Sequence, residues 1–264
     1  MSSTPTDQRR LEDHPVADGP LPELLDWVLG AIVALAGLIA IVGSSALVFL
    51  VDRDVIAEGI EDDAVTVTVF TTELTDAEAV DLANAVVTWT GFGLAVTGLG
   101  MLAFAVWFVV GRHRTHRRAR AGEPVSSYSS FAVLGAVTAA FLSFIPLSPV
   151  LGGALAGYLE RGESARIVSV GAVSGLLAVL PLLALLTFTL VGVVAGLLAV
   201  DQIGAGVVVG AAMVLGGAFV AAVGVGLGAL GGYVGGTFAE RRAKRSDRRP
   251  PAETSEEPRD PERD

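Results

Sequence analysis

WVLGAIVALAGLIAIVGSSALVFLV, residues 27–51, holds 25 consecutive residues without a charged side chain. A bilayer's hydrocarbon core is about 30 Å thick and a helix rises about 1.5 Å per residue, so about 20 such residues cross it. The same pattern recurs at 82–111, 124–159, 167–200 and 202–239. Hydrocarbon offers backbone amides and carbonyls no water, and a helix satisfies them within its own segment. The fold class that follows is all-α: a polytopic transmembrane helical bundle with a small extracytoplasmic α/β loop.

The rest of the composition agrees. The 264 residues are 52% hydrophobic and include 32 glycines, which leaves little for a separate soluble domain. Cysteine is absent, so disulfides and thiolate chemistry are excluded. The formal net charge is −10, unevenly spread: residues 52–81 carry −9 while 112–123 carry +4. Lys244 is the one lysine among 18 basic residues. An acidic, lysine-poor chain of this kind looks haloarchaeal, its carboxylates holding water in concentrated salt, and net charge speaks to solubility rather than fold. The long acidic leader before Trp27 does not fit a cleaved signal peptide.

Four units are expected. Residues 1–22, polar and with four prolines, form a disordered cytoplasmic tail. Residues 23–123 make an N-terminal module of two transmembrane helices, about 24–51 and 84–111, joined by the acidic external loop 52–81. Residues 124–240 make a glycine-rich membrane domain with a proline-broken segment at 131–159 and helices at about 167–192 and 205–238. Residues 241–264 form a second disordered cytoplasmic tail, basic then acidic.

Within the acidic loop, Val65-Thr66-Val67-Thr68-Val69-Phe70 alternates in the manner of a strand and is expected to pair with 55–60. Thr75-Asp76-Ala77-Glu78 fits a capping box, predicting a helix that starts there and runs unbroken into the second span. Trp89 and Trp107, about 27 Å apart on that helix, suit the two interfaces of a bilayer. The carboxylates lack the Asp-x-Asp-x-Asp-Gly order of a calcium loop and are read as a solvated face.

The positive-inside rule places the basic loop 112–120 in the cytoplasm, together with Arg241, Arg242, Lys244 and Arg245. Three apolar stretches separate the two clusters, yet two cytoplasmic ends need an even number of crossings. The stretch to sacrifice is the first. Pro146 and Pro149 remove two amide donors and split it into halves too short to span, which predicts a re-entrant hairpin. The competing form is one kinked span with the C-terminus outside. Pro181 is expected to kink or break the next, overlong stretch.

Small residues carry the clearest pattern. Gly224, Gly228, Gly232 and Gly236 line one helix face, with Ala218, Ala222 and Gly226 beside them. Close backbone approach is a main source of helix association in lipid, so packing against Gly153/Gly157 and Gly171/Gly175 is expected, with a homo-oligomer contact or a pore or substrate lining as the other uses. In the first span Ala36, Ala40 and Ser44 form a similar row. His113 and His116 could share a metal by spacing, but surrounding arginines repel a cation, and a solvated basic loop is preferred. No ionisable side chain falls inside a run and no nucleophile or phosphate-binding motif occurs, so no catalytic, metal or cofactor-binding residue is assigned.

LSFIPLSPVLGGALAGYL (142–159), with Gly171-Ala172-Val173-Ser174-Gly175 and Gly228-Ala229-Leu230-Gly231-Gly232-Tyr233, resembles small haloarchaeal glycine-rich membrane proteins grouped only as a domain of unknown function. The likeness covers about residues 130–238 and implies no activity, cofactor or substrate. The expected role is a non-enzymatic membrane scaffold or envelope-interaction protein, multi-pass in the plasma membrane, whose partners are the lipid bilayer and a second copy of itself. Nothing points to nucleic acid or a small-molecule ligand. The alternative is a small-solute channel or facilitator using the 146–149 break.

Overall fold

The computed structural model describes residues 23–62, 68–69, 72–123, 127–145, 147–160 and 164–247. In chain order these form α1 (Glu23–Leu50), α2 (Arg53–Asp62), β1 (Thr68–Val69), β2 (Thr72–Glu73), α3 (Asp76–Arg120), α4 (Tyr128–Phe141), α5 (Ser148–Leu159), α6 (Ser164–Ala199) and α7 (Ile203–Asp247). Four helices are long and apolar enough to cross a membrane: Leu24–Leu50, Asp76–Arg120, Ser164–Ala199 and Ile203–Arg242. Their outward faces carry Leu38, Ile39, Phe49, Trp107, Leu215 and Phe219, all exposed, as helices solvated by lipid require. The two proposed disordered tails fall outside the described residues, except for 241–247, which continue α7.

The start of α3 follows from its sequence. Thr75 caps it: Glu78 returns a carboxylate to the Thr75 amide (2.8 Å) while the Glu78 amide donates to the Thr75 hydroxyl (3.4 Å). The backbone hydrogen bond from Thr75, then that from its hydroxyl, holds the Glu78 carboxyl below the usual carboxylate range. Beyond the apolar run α3 does not stop. The expected basic loop 112–120 is helical to Arg120, because arginine is a good helix former and three arginines sit in the last turn, where the dipole favours them.

The expected strand pairing of 55–60 is overturned. Those residues lie in α2, whose first turn is held by the Asp52 carboxylate accepting the Val55 amide at 2.9 Å. The antiparallel pair is instead β1 with β2, Val69 opposite Thr72, two residues each. Residues 65–67 and 70 of the expected strand lie outside the described residues. The result is a short ribbon beside a helix, not an α/β unit.

α1 and α3 pack antiparallel. A methyl group on Gly37 would sit 2.7 Å from the Gly98 carbonyl oxygen, and Ser44 Oγ donates to the Gly91 carbonyl at 2.7 Å. The crossing thus uses Gly37 and Ser44, while Ala36 of the expected row faces outward.

α4 and α5 form an antiparallel hairpin, since Gly135 faces Ala156 while Ala139 faces Gly152. Helices of 14 and 12 residues reach only about 20 Å, short of a full crossing. Pro149 occupies the first turn of α5, where its missing amide would have had no helical partner. Pro146 lies outside the described residues. The turn closes through Ile145 N–H to Leu142 (2.8 Å) and Ser148 N–H to Ile145 (2.9 Å). Its tip is not shielded by other helices. Phe144 is 78% exposed, so apolar side chains rather than neighbours cover the bend.

Both hairpin ends lie at one end of the bundle. Tyr128 Oη donates to Ser169 Oγ (3.1 Å) at the start of α6, and Glu160 pairs with Arg166 (2.9 Å). Arg242, late in α7, donates to Tyr158 Oη at 3.0 Å. The two ends of the α4–α5 segment thus lie on the same side of the bundle.

Pro181 does not break α6, which runs continuously through it. A membrane helix tolerates the lost hydrogen bond when neighbours hold both sides, and α6 lies between α3 and α7. The α6–α7 turn ends in a Schellman arrangement: Asp201 takes φ 55°, and Gln202 N–H reaches the Leu197 carbonyl at 2.8 Å.

Candidate functional site

Charged groups converge at one end of the bundle, two of them from the stretch expected to be a solvated basic loop. Asp26 lies in the first turns of α1, Arg112 and His116 one turn apart on α3, and Ser130 in the first turn of α4. Arg112 Nε donates to Asp26 Oδ2 at 3.0 Å, and His116 Nε2 meets the same oxygen at 2.8 Å. Ser130 Oγ donates to Asp26 Oδ1 at 3.2 Å. A carboxylate only accepts, so Nε2 is the protonated ring nitrogen of His116 in this contact. Asp26, Arg112 and His116 are 2%, 3% and 7% exposed, and Ser130 is fully buried.

Helix ends explain why charge collects here. Asp26 and Ser130 sit near the N-termini of α1 and α4, where the helix dipole favours an anion, and the C-terminal portion of α3 brings the cations. A carboxylate tied to guanidinium, imidazole and hydroxyl is a clamp of high geometric specificity. The one hydroxyl of the group, Ser130, is directed at Asp26 Oδ1.

A signal for this cluster existed. Asp26 is the last charge before the first run and Arg112 the first after the second. Antiparallel helices with such runs bring the two to one level, and the Arg112/His116 spacing puts both on one face. His116, taken as part of a solvated loop, is buried on Asp26, whereas His113 is exposed, so the two do not converge on a metal. Among the described residues no three metal-ligating side chains gather.

The glycines singled out meet at the α5–α6–α7 junction. Methyl groups at Gly153 or Gly171 would overlap the Gly228 carbonyl; at Gly157, that of Gly232; at Gly175, that of Gly224. Gly228 and Gly232 lie against the backbone of α6, at Gly171 and Ile167. Gly224 adjoins the Val179 side chain as well as Gly175, and Gly236 adjoins the Ile167 side chain. Gly231 and Gly235, not singled out, touch the carbonyls of Val150 and Ala154 on α5 and form the second arm of the junction. Gly135 and Gly152 close the hairpin in the same way.

Residues 130–238 match the model of DUF5518, a family of unknown function. No curated protein and no solved structure matches the chain. The DUF5518 region takes in nearly all of α4, all of α5 and α6, and α7 as far as Phe238, which together form the glycine junction. α1 to α3 lie outside it. The buried clamp therefore joins the two parts: Asp26, Arg112 and His116 come from outside the DUF5518 region and Ser130 is its first residue. A Thr90–Thr189 hydrogen bond (3.1 Å) and Leu29 and Phe108 packed on Val133 extend that joint.

Proposed function

We propose that the chain is a non-enzymatic membrane scaffold of the plasma membrane, with both termini in the cytoplasm. The supporting observation is the division of labour between its two polar-poor and polar-rich zones. Backbones hold α5, α6 and α7 together within the apolar zone, while charge is kept to the ends of the bundle, buried at one of them around Asp26. The row Ala218, Ala222 and Gly226 is left open on α7, with nothing within 4 Å of a methyl group at Gly226. That face is available to a second copy or another membrane helix.

Reconstituted into liposomes, the protein is expected to pass common ions and small solutes no faster than empty vesicles do. Sustained flux would replace the scaffold with the channel reading. A photo-crosslinker at Ala222 is expected to trap a second copy in native membranes, and a control at Phe49 is not.

The native lack of cysteine allows the topology to be read directly. In whole cells, an impermeant thiol reagent is expected to label Glu58→Cys but neither Ser164→Cys nor Ser255→Cys. Outside labelling at position 164 or 255 overturns the proposed sidedness.

A further inference from the structure

We propose that the groove between α5 and α7, at the end where Arg242 meets Tyr158, binds an anionic phospholipid, its phosphate on the arginines and one hydrocarbon chain in the cleft. The inference rests on this end facing the headgroups and is independent of the scaffold role.

The groove has a volume of about 780 Å³. Its floor is Ala154 and Gly235, where the two helices touch backbone to backbone, so no side chain fills the gap above them. Leu155 and Phe238 form the walls, and Phe238 is exposed. The rim is Arg241, Arg242 and Arg245. On α7, Phe238, Arg241, Arg242 and Arg245 fall at i, i+3, i+4 and i+7, one continuous face. Over two turns, about 10 Å, that face changes from apolar to triply basic. A membrane lipid has this profile: hydrocarbon, then phosphate.

Two details favour a phosphate. The Arg242 Nη1 hydrogen bond to Tyr158 Oη fixes the guanidinium beside the cleft, and among the described residues lining it there is no carboxylate. Guanidinium matches phosphate oxygens bidentately, which distinguishes it from a merely attractive charge. Below the rim the neighbouring surface of α7 is apolar, with Leu230, Tyr233 and Val234 exposed, so the cleft opens toward lipid rather than water. A free phosphate would use the rim and leave the cleft empty.

Native mass spectrometry of the full chain in detergent tests this with added phosphatidylglycerol and phosphatidylcholine. Phosphatidylglycerol is expected to bind the native protein, and the combined variant Arg241→Gln/Arg242→Gln/Arg245→Gln to lose about tenfold or more in affinity. A charge-matched control at the other basic cluster, Arg114→Gln/Arg117→Gln/Arg118→Gln, is expected to stay within about twofold of native. All six side chains are exposed, so both variants should fold. Equal loss in both variants would mean diffuse charge attraction, and equal binding of the two lipids would mean no headgroup recognition; either overturns the site. Inorganic phosphate is expected not to displace the lipid; efficient displacement overturns the lipid assignment in favour of a free anion.

Discussion

Leucine in place of both Gly228 and Gly232 is expected to lower the melting temperature of the detergent-solubilised protein sharply, or to prevent recovery of a monodisperse species. Each glycine presses on a carbonyl or Cα of α6, and Gly153 and Gly157 of α5 press in turn on their carbonyls. A methyl group already overlaps backbone there, and backbone cannot swing aside as a side chain tip does. Overpacking a close-packed interior costs about 1–3 kcal/mol per site, and here two helices must retreat together, so the combined loss belongs at the upper end or beyond. Gly216→Leu is the control. Nothing lies within 4 Å of a methyl group there, and leucine favours helix over glycine by up to about 1 kcal/mol. Native-like melting and size in the Gly228/Gly232 variant would show that α5 and α6 are not held at the backbone of α7.

Much of this architecture was legible because membrane helices obey one dominant constraint. The long charge-free runs located all four long helices, and the capping box at Thr75 placed the start of α3 to the residue. Parity of the basic clusters, together with Pro149, led to the hairpin of α4 and α5. The glycine spacing points to α7 and its two partners, whereas Gly231 and Gly235, a single pair four residues apart, stand out less than the longer row beside them. Where the reading failed, local rules met tertiary context. Valine and threonine alternation suggested a strand partner in 55–60, but an Asp52 cap and the adjoining face of α3 make that stretch a helix. Pro181 was read as a break because propensity assumes an isolated helix, whereas α6 is supported on two sides. The clamp was missed for a different reason. Charges flanking a span are ordinarily solvated, and only the pairing of α1 with α3 and α4 decides that Asp26, Arg112 and His116 are enclosed. A pairwise test of flanking charges across neighbouring helices would have found it.

Removing the carboxylate of that clamp is the second large effect expected. Asp26→Ala leaves Arg112 and His116 buried at the joint between the N-terminal helices and the DUF5518 region, without the oxygen both of them contact. Breaking a buried ion pair by deleting one partner costs about 3–5 kcal/mol, far more than an exposed pair, because the remaining charge stays out of water. The loss should appear as a lower melting temperature and as faster amide exchange in the first turns of α1 and α4, while the α5–α6–α7 junction keeps its protection. Replacing both members, Asp26→Leu with Arg112→Met, should recover most of the stability, since two apolar side chains of similar volume need no desolvation. The two variants together separate charge from packing. If the double substitution is as damaged as the single one, the joint depends on the specific hydrogen bonds to His116 and Ser130. If Asp26→Ala melts like the native protein, water reaches Arg112 on the time scale of unfolding and the clamp does not hold the two parts together.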